Sequence, residues 1–193
     1  MLHLKTINYK HMQKYIAILR GINVGGKRKI LMADLKTIFS KLEFTNIETY
    51  IQSGNVIFIS KKDASNINLS NKIERAISEN YNFEVPVIVM SVTELNEAIS
   101  KNPFFEKNEL DIERLHLTFL KAMPETNILE KIKTYDSSPD KFKIINKNVF
   151  VYCSGKYSNS KLTNKFFETK LKVSATTRNW KTVLKLSELS NPE

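Results

Sequence analysis

The chain contains one cysteine, Cys153, so an internal disulfide is excluded. No Cys/His spacing matches a metal site. A lone thiol without such spacing fits a reducing compartment, and a cytoplasmic location is expected. Glycine and proline are sparse, at five residues each, which excludes a collagen-like or low-complexity chain. No window holds the roughly 18 apolar residues that a membrane span needs. The opening "MLHLKTINYKHMQ" lacks the apolar stretch of a secretory signal, so no membrane partner is expected. Histidine is limited to His3, His11 and His116. The first two lie in a tail without pattern, and His116 sits mid-strand beside Arg114 and Thr118, where it reads as structural. No pair of carboxylates converges by pattern. Cys153 lies in an apolar strand with no histidine placed to activate it, and reads as a buried small hydrophobe. No catalytic residue, cofactor or metal ligand is therefore assigned.

What is present is enough for a core. At 193 residues, with 41% hydrophobic and 10% aromatic content, the chain suits one medium domain or two small ones. Its net charge of +10 points to an acidic partner, either nucleic acid or a phosphorylated ligand. Lysines outnumber arginines 25 to 5, however, and arginine is the residue best suited to bidentate phosphate recognition. A lysine-rich solvated surface accounts for the same charge.

Hydrophobic periodicity organises the chain from Lys14 onward. "YIAILR" (15–20) reads as a strand and "MADLKTIFSKLEF" (32–44) as an amphipathic helix. "IETYIQ" and "NVIFIS" flank Ser53-Gly54 as a hairpin. A helix over 69–81 and the strand "VPVIVM" (85–90) complete βαββαβ, the ferredoxin-like order. The second half repeats it, with a strand at 114–120, a helix at 125–135, a hairpin about Lys147, a helix at 160–171 and a strand at 172–176. Aligning Tyr15–Ile22 with Leu115–Ala122 gives an offset of 100, and "GNVIFI" matches "KNVFVY" at an offset of 93. The expected fold is α+β, two ferredoxin-like units in tandem. The expected boundaries are a flexible extension over 1–13, a first unit over 14–91 and a connecting helix and linker over 92–112. A second unit follows over 113–177, then a C-terminal helix over 178–190. Ser91 or Thr93 is expected to cap the connecting helix, and Thr176 or Thr177 the last one. The third strand of each unit, Val56-Ile57-Phe58-Ile59 and Val149-Phe150-Val151-Tyr152, is apolar on both faces. Helices cover one face only, so the partner unit or an oligomer mate must cover the other.

The stretch "LRGINVGGKRK" has P-loop spacing, Gly21-x-x-x-x-Gly26-Lys27. A P-loop needs Ser or Thr next, for magnesium, and a helix starting there. Arg28 supplies no hydroxyl, and helical periodicity begins only near Met32. The stretch therefore imitates a nucleotide site by spacing alone. Its glycines still allow positive φ and exposed N–H groups, among Arg20, Lys27, Arg28 and Lys29. They also serve an ordinary strand-to-helix turn.

In a βαββαβ unit, the end of strand 1 and the turn between strands 2 and 3 share one sheet edge. Arg20 and the glycine loop should therefore meet Gln52-Ser53-Gly54-Asn55. Together they could hold a phosphate or carboxylate, or form a structural network in which Arg20 and Gln52 satisfy loop carbonyls. Near the C-terminus, Arg178 and Asn179 fall in the first turn of the last helix, facing a ligand or a neighbouring loop. Trp180 reads as a core anchor.

"YIAILRGINVGGKRKILMADLK", "TYIQSGNVIF" and "TTRNWKTVLKL" together resemble the domain-of-unknown-function family 1697, from Tyr15 to Leu189. The resemblance implies an α+β fold with ferredoxin-like halves and no particular reaction or cofactor. It also implies a start close to "KYIAILRG", which makes residues 1–11 an extension and Met12 a candidate start. Arg28 stands where the family pattern leads us to expect a small polar residue.

The expected function is binding of a small phosphorylated or carboxylate ligand at the glycine-loop edge. The residues expected to bind it are Arg20, Asn23, Gly25, Gly26, Lys27, Gln52, Ser53, Asn55, Arg178 and Asn179. One alternative is a nucleic-acid-binding module using a lysine-rich groove between the units. An open sheet of the RNA-recognition type is disfavoured, because its central strands carry few aromatics. Another is an interaction protein that self-associates through its apolar sheet faces.

Overall fold

A computed structural model describes residues 12–62, 64–105 and 112–191. Each half forms a four-stranded antiparallel sheet. The first contains β1 (Met12–Leu19), β2 (Thr45–Tyr50), β3 (Asn55–Lys61) and β4 (Val87–Ser91), in the order β2-β3-β1-β4. The second contains β5 (Leu115–Leu120), β6 (Lys141–Ile145), β7 (Asn148–Tyr152) and β8 (Ala175–Asn179), in the order β6-β7-β5-β8. Helices α1 (Met32–Lys41) and α2 (Asn66–Tyr81) belong to the first half. Helices α4 (Thr126–Lys133) and α5 (Asn164–Leu171) belong to the second. Two further helices, α3 (Val92–Ser100) and α6 (Trp180–Ser190), follow β4 and β8. The fold is therefore two tandem ferredoxin-like units, and the repeat extends to the helix after each last strand.

Three cores hold the layers together. Leu35, Phe39, Ile73 and Ile77 of α1 and α2 pack on Tyr15, Ala17, Val56 and Phe58, the outer face of the first sheet. Phe167 and Leu171 of α5 pack on Val149, Val151 and Ala175 in the second. Between the sheets, Ile16, Ile18, Ile57, Ile88 and Met90 meet Leu115, Leu117, Phe119 and Phe150, with Leu95 of α3 and Trp180, Val183 and Leu186 of α6 completing the layer. The doubly apolar third strands are thus covered inside one chain. The faces expected to serve an oligomer mate are not exposed, and neither sheet is open to stacking bases.

Two details correct the sequence reading. Tyr15 pairs with Ser91 and Phe58, whereas His116 pairs with Asn179 and Val151. The offset between the first strands is therefore 101 rather than 100. A one-residue slip would turn each side chain to the opposite face. The offset of 93 holds, since Asn55 and Asn148 both open a third strand opposite the end of the first. The last strand also lies further along than expected. Lys172 ends α5 in the left-handed conformation, and β8 then pairs with β5 through Asn179. Arg178 and Asn179 are thus strand residues, and the cap of α6 is Asn179, whose Oδ1 accepts the Thr182 N–H at 2.8 Å. β1 begins at Met12, inside the segment expected to be extension, and residues 1–11 lie outside the described residues.

Ser91 does cap α3, and Glu94 completes a capping box by accepting the Ser91 N–H at 2.8 Å. Glu94 also accepts from Asn66 Nδ2 at 2.7 Å and pairs with Lys147 of the second unit at 3.5 Å. Burial alone would raise its pKa. The Ser91 N–H, the Asn66 amide and the Lys147 charge outweigh burial and hold it below the ordinary carboxylate value. The stabilisation from its charge is complete above the unfolded pKa and is lost as pH falls through the depressed folded one. Glu94→Gln is expected to flatten the acid limb of a denaturant-stability profile. An unchanged limb would remove Glu94 from the acid response.

Candidate functional site

The stretch from Gly21 to Leu31 folds as a small hairpin. Val24 and Lys27 form an antiparallel bridge, and the Asn23 N–H donates to the Arg28 carbonyl at 3.2 Å. Gly25 and Gly26 form its turn with φ of 58° and 74°, the positive pair that a two-residue hairpin turn requires. Asn23 holds the base. Its Nδ2 donates to the carbonyls of Ile30 and Gln52 at 2.9 Å each, and its Oδ1 accepts the Ile30 N–H at 2.9 Å. Every residue from Val24 to Lys29 is exposed. Helix α1 starts at Met32, well past Lys27, so no helix follows the Gly-Lys pair as a P-loop demands.

The glycine loop and the β2–β3 turn do meet, because the Leu19 N–H donates to the Gly54 carbonyl at 2.8 Å and Ile18 pairs with Asn55. A third partner joins them from the second unit. Arg178 Nε donates to Asn55 Oδ1 at 2.7 Å, and its Nη2 donates to the carbonyls of Leu19 at 2.7 Å and Ser53 at 3.0 Å. Nη1 donates to the Thr177 carbonyl at 3.0 Å and to Thr176 Oγ1 at 3.2 Å. Burial pushes the guanidinium pKa down to about 10, so it stays charged at neutral pH without a carboxylate in this network. Asn55 is fully buried, and its Nδ2 donates to the Tyr50 carbonyl at 3.0 Å and to Ser53 Oγ at 3.1 Å. Arg20 is occupied as well. It forms an ion pair with Glu168 of α5, and Glu168 also accepts the Ala175 N–H at 3.1 Å.

These contacts separate the predicted residues into two groups. Arg20, Asn23, Ser53, Asn55, Arg178 and Asn179 use their side chains within the fold. Gly25, Gly26 and Lys27 remain on the surface, as does the Gln52 side chain, which has no hydrogen bond to a described residue. Arg28 and Lys29 join them, and none of Lys27, Arg28 and Lys29 forms an ion pair with a described residue. Sequence reasoning missed the exposed apolar residues beside them, Val24 at 65%, Leu31 at 69% and Ile51 at 48%. The signal was present: Gly25-Gly26 between Val24 and Lys27 is a two-residue hairpin pattern. Leu31 precedes α1 without a side-chain cap, and Asp34 lies in the first turn of that helix.

Among the described residues, two grooves between the units mix lysines with carboxylates. One, of about 260 Å³, carries Glu94 and Glu97 beside Lys101 and Lys147. Another carries Glu74, Glu79 and Glu84, with Lys121 held by Glu74 at 2.7 Å. Among the described residues there is no cluster of metal-ligating side chains and no helix long and apolar enough to cross a membrane.

The conserved bacterial protein SP0830 from Streptococcus pneumoniae has a solved structure similar to this one. The TM-score is 0.74 at 24% identity, over 93% of this chain and 99% of that one. At that identity the likeness concerns the fold. No curated protein matches the chain. The family model described as a protein of unknown function, DUF1697, matches residues 12–150. With more than half of its length under that model, the chain belongs to the DUF1697 family.

Proposed function

We propose that the glycine-loop edge binds the phosphate groups of an extended polyanion, with a single-stranded nucleic acid as the partner that fits. The observation that carries this reading is the exposed run Lys27-Arg28-Lys29 on a projecting hairpin, with no ion pair to a described residue. Val24, Leu31 and Ile51 are exposed apolar residues of the same two loops, suited to contact with sugar faces. The three cations are consecutive and exposed, which suits a chain of phosphates better than one small molecule.

The test is fluorescence anisotropy of labelled single-stranded RNA and DNA over a range of salt. Each phosphate contact on a single strand contributes about 0.7 to the slope of log K against log salt. Lys27→Ala/Arg28→Ala/Lys29→Ala should reduce that slope by about 2 and weaken binding at low salt. An unchanged slope in the triple variant would exclude the hairpin as the contact. Saturable binding of inorganic pyrophosphate at the hairpin, with no binding of either polymer, would return the site to a small-ligand reading.

A further inference from the structure

The internal repeat offers a control for residues that serve the fold alone. By ladder register, Tyr15 corresponds to His116, Ala17 to Thr118 and Val89 to Thr177. In the first unit these outer-face positions belong to an apolar core. Tyr15 extends its hydroxyl to the carbonyls of Lys61 at 3.2 Å and Lys62 at 3.3 Å, tying that corner to the loop after β3. The first unit thus meets this corner with the Tyr15 hydroxyl and apolar neighbours at Ala17 and Val89.

In the second unit the same corner is polar. Thr118 Oγ1 lies 2.7 Å from Thr177 Oγ1, which donates to Asn164 Oδ1 at 2.6 Å. His116 is 7% exposed and stacks on Tyr157, with ring centroids 4.3 Å apart. Its Nδ1 sits 3.3 Å from the Arg114 carbonyl oxygen, a contact that assigns the proton to Nδ1 and leaves Nε2 as an acceptor. The Tyr157 hydroxyl is buried close to the Thr177 hydroxyl. Burying polar groups is costly unless they are paired. The two copies therefore fill the same corner in different ways, and only the second places an imidazole there.

The corner also opens to solvent. A cleft of about 490 Å³, within the range of small-molecule sites, is lined by Arg114, His116, Lys156, Tyr157, Asn179 and Lys181. Among the described residues that line it, Glu113 is the one carboxylate, and it pairs with Lys181 at 2.7 Å. Asn179 spends its Oδ1 on the cap of α6, which leaves its amide N–H groups for a ligand. Burial holds the His116 imidazole below its ordinary pKa, so at neutral pH it acts as a neutral hydrogen-bonding group.

We propose that this cleft in the second unit binds a small phosphate monoester, with Lys156 and Lys181 supplying charge, the Asn179 amide supplying a donor and the His116 ring forming one wall. The site is separate from the hairpin of the first unit and does not depend on it.

Proton NMR of the histidine rings tests the proposal, with phenyl phosphate as the probe and sodium chloride as the ionic control. A saturable shift of the His116 Cε1–H resonance is expected with phenyl phosphate and not with chloride. Lys156→Ala and Lys181→Ala, both at exposed positions, should each weaken the apparent affinity by at least about tenfold. The triple variant at Lys27, Arg28 and Lys29 should leave the titration unchanged, so failure at one site is distinguishable from failure at the other. A non-saturating drift equal to that in chloride would overturn the proposal. So would a saturable shift that persists undiminished in both lysine variants.

Discussion

Replacing Arg178 by alanine is expected to lower the stability of the whole chain by about 3–5 kcal/mol. One guanidinium holds Asn55 Oδ1 and the carbonyls of Leu19 and Ser53 across the junction of the two units. Removing it leaves those acceptors without a donor where water enters poorly, and a buried acceptor left unpaired costs about 1–3 kcal/mol. In a chain of this size, 1 kcal/mol corresponds to roughly 2–4 °C, so the melting temperature should fall by about 10 °C. Arg178→Lys keeps the charge but loses the planar fork. It cannot reach Asn55, Leu19 and Thr177 together, and should recover only part of the loss. Calorimetry of both variants checks this. A change below about 1 kcal/mol for Arg178→Ala would show that the clasp does not hold the units together.

The second large effect is at Gly54. Its φ is 80°, and a Cβ built there would lie 2.8 Å from both Leu19 Cβ and Ile22 Cδ1. Gly54→Ala combines backbone strain with overpacking against a rigid strand, and should cost about 2–5 kcal/mol. Gly25 provides the comparison. Its φ is 58°, but a Cβ there meets nothing within 4 Å, so Gly25→Ala should cost only about 1 kcal/mol. Denaturant melts of the two variants should therefore separate clearly. Equal melts would mean that Leu19 and Ile22 can move aside.

The repeat could be read from sequence because helical and strand periodicities alternate in the same order twice. The strand offset could not be read to the residue. "YIAIL" is apolar on both faces and offers no polar alternation against which His116 and Thr118 of "LHLTFL" could be aligned. Thr176-Thr177 was ambiguous for a different reason. Threonine suits both a strand and a cap, and only pairing with β5 decides for the strand. The meeting of Arg20, the glycine loop and the "QSGN" turn followed from topology. That Arg178 would satisfy the turn, while Arg20 turned to Glu168, did not. Both choices depend on how the units dock, and local spacing carries no information about partners more than a hundred residues away. The cover over the apolar third strands was legible as a need, but its identity lay in the docking too. The cleft at His116 is built from segments near 114, 156 and 181, and no spacing in the sequence brings these together.

The layer between the sheets has a consequence for synthesis on the ribosome. The first sheet and α3 are complete at Ser100, but most of what covers Ile16, Ile18, Ile57, Ile88 and Met90 comes from Leu115 onward and from α6. At about 5–20 residues per second, that face waits on the order of ten seconds for Trp180 and Val183 to emerge. During that interval the nascent chain presents a sticky sheet, the kind of surface that chaperones shield. Folding of the first half is provisional until the last helix leaves the exit tunnel.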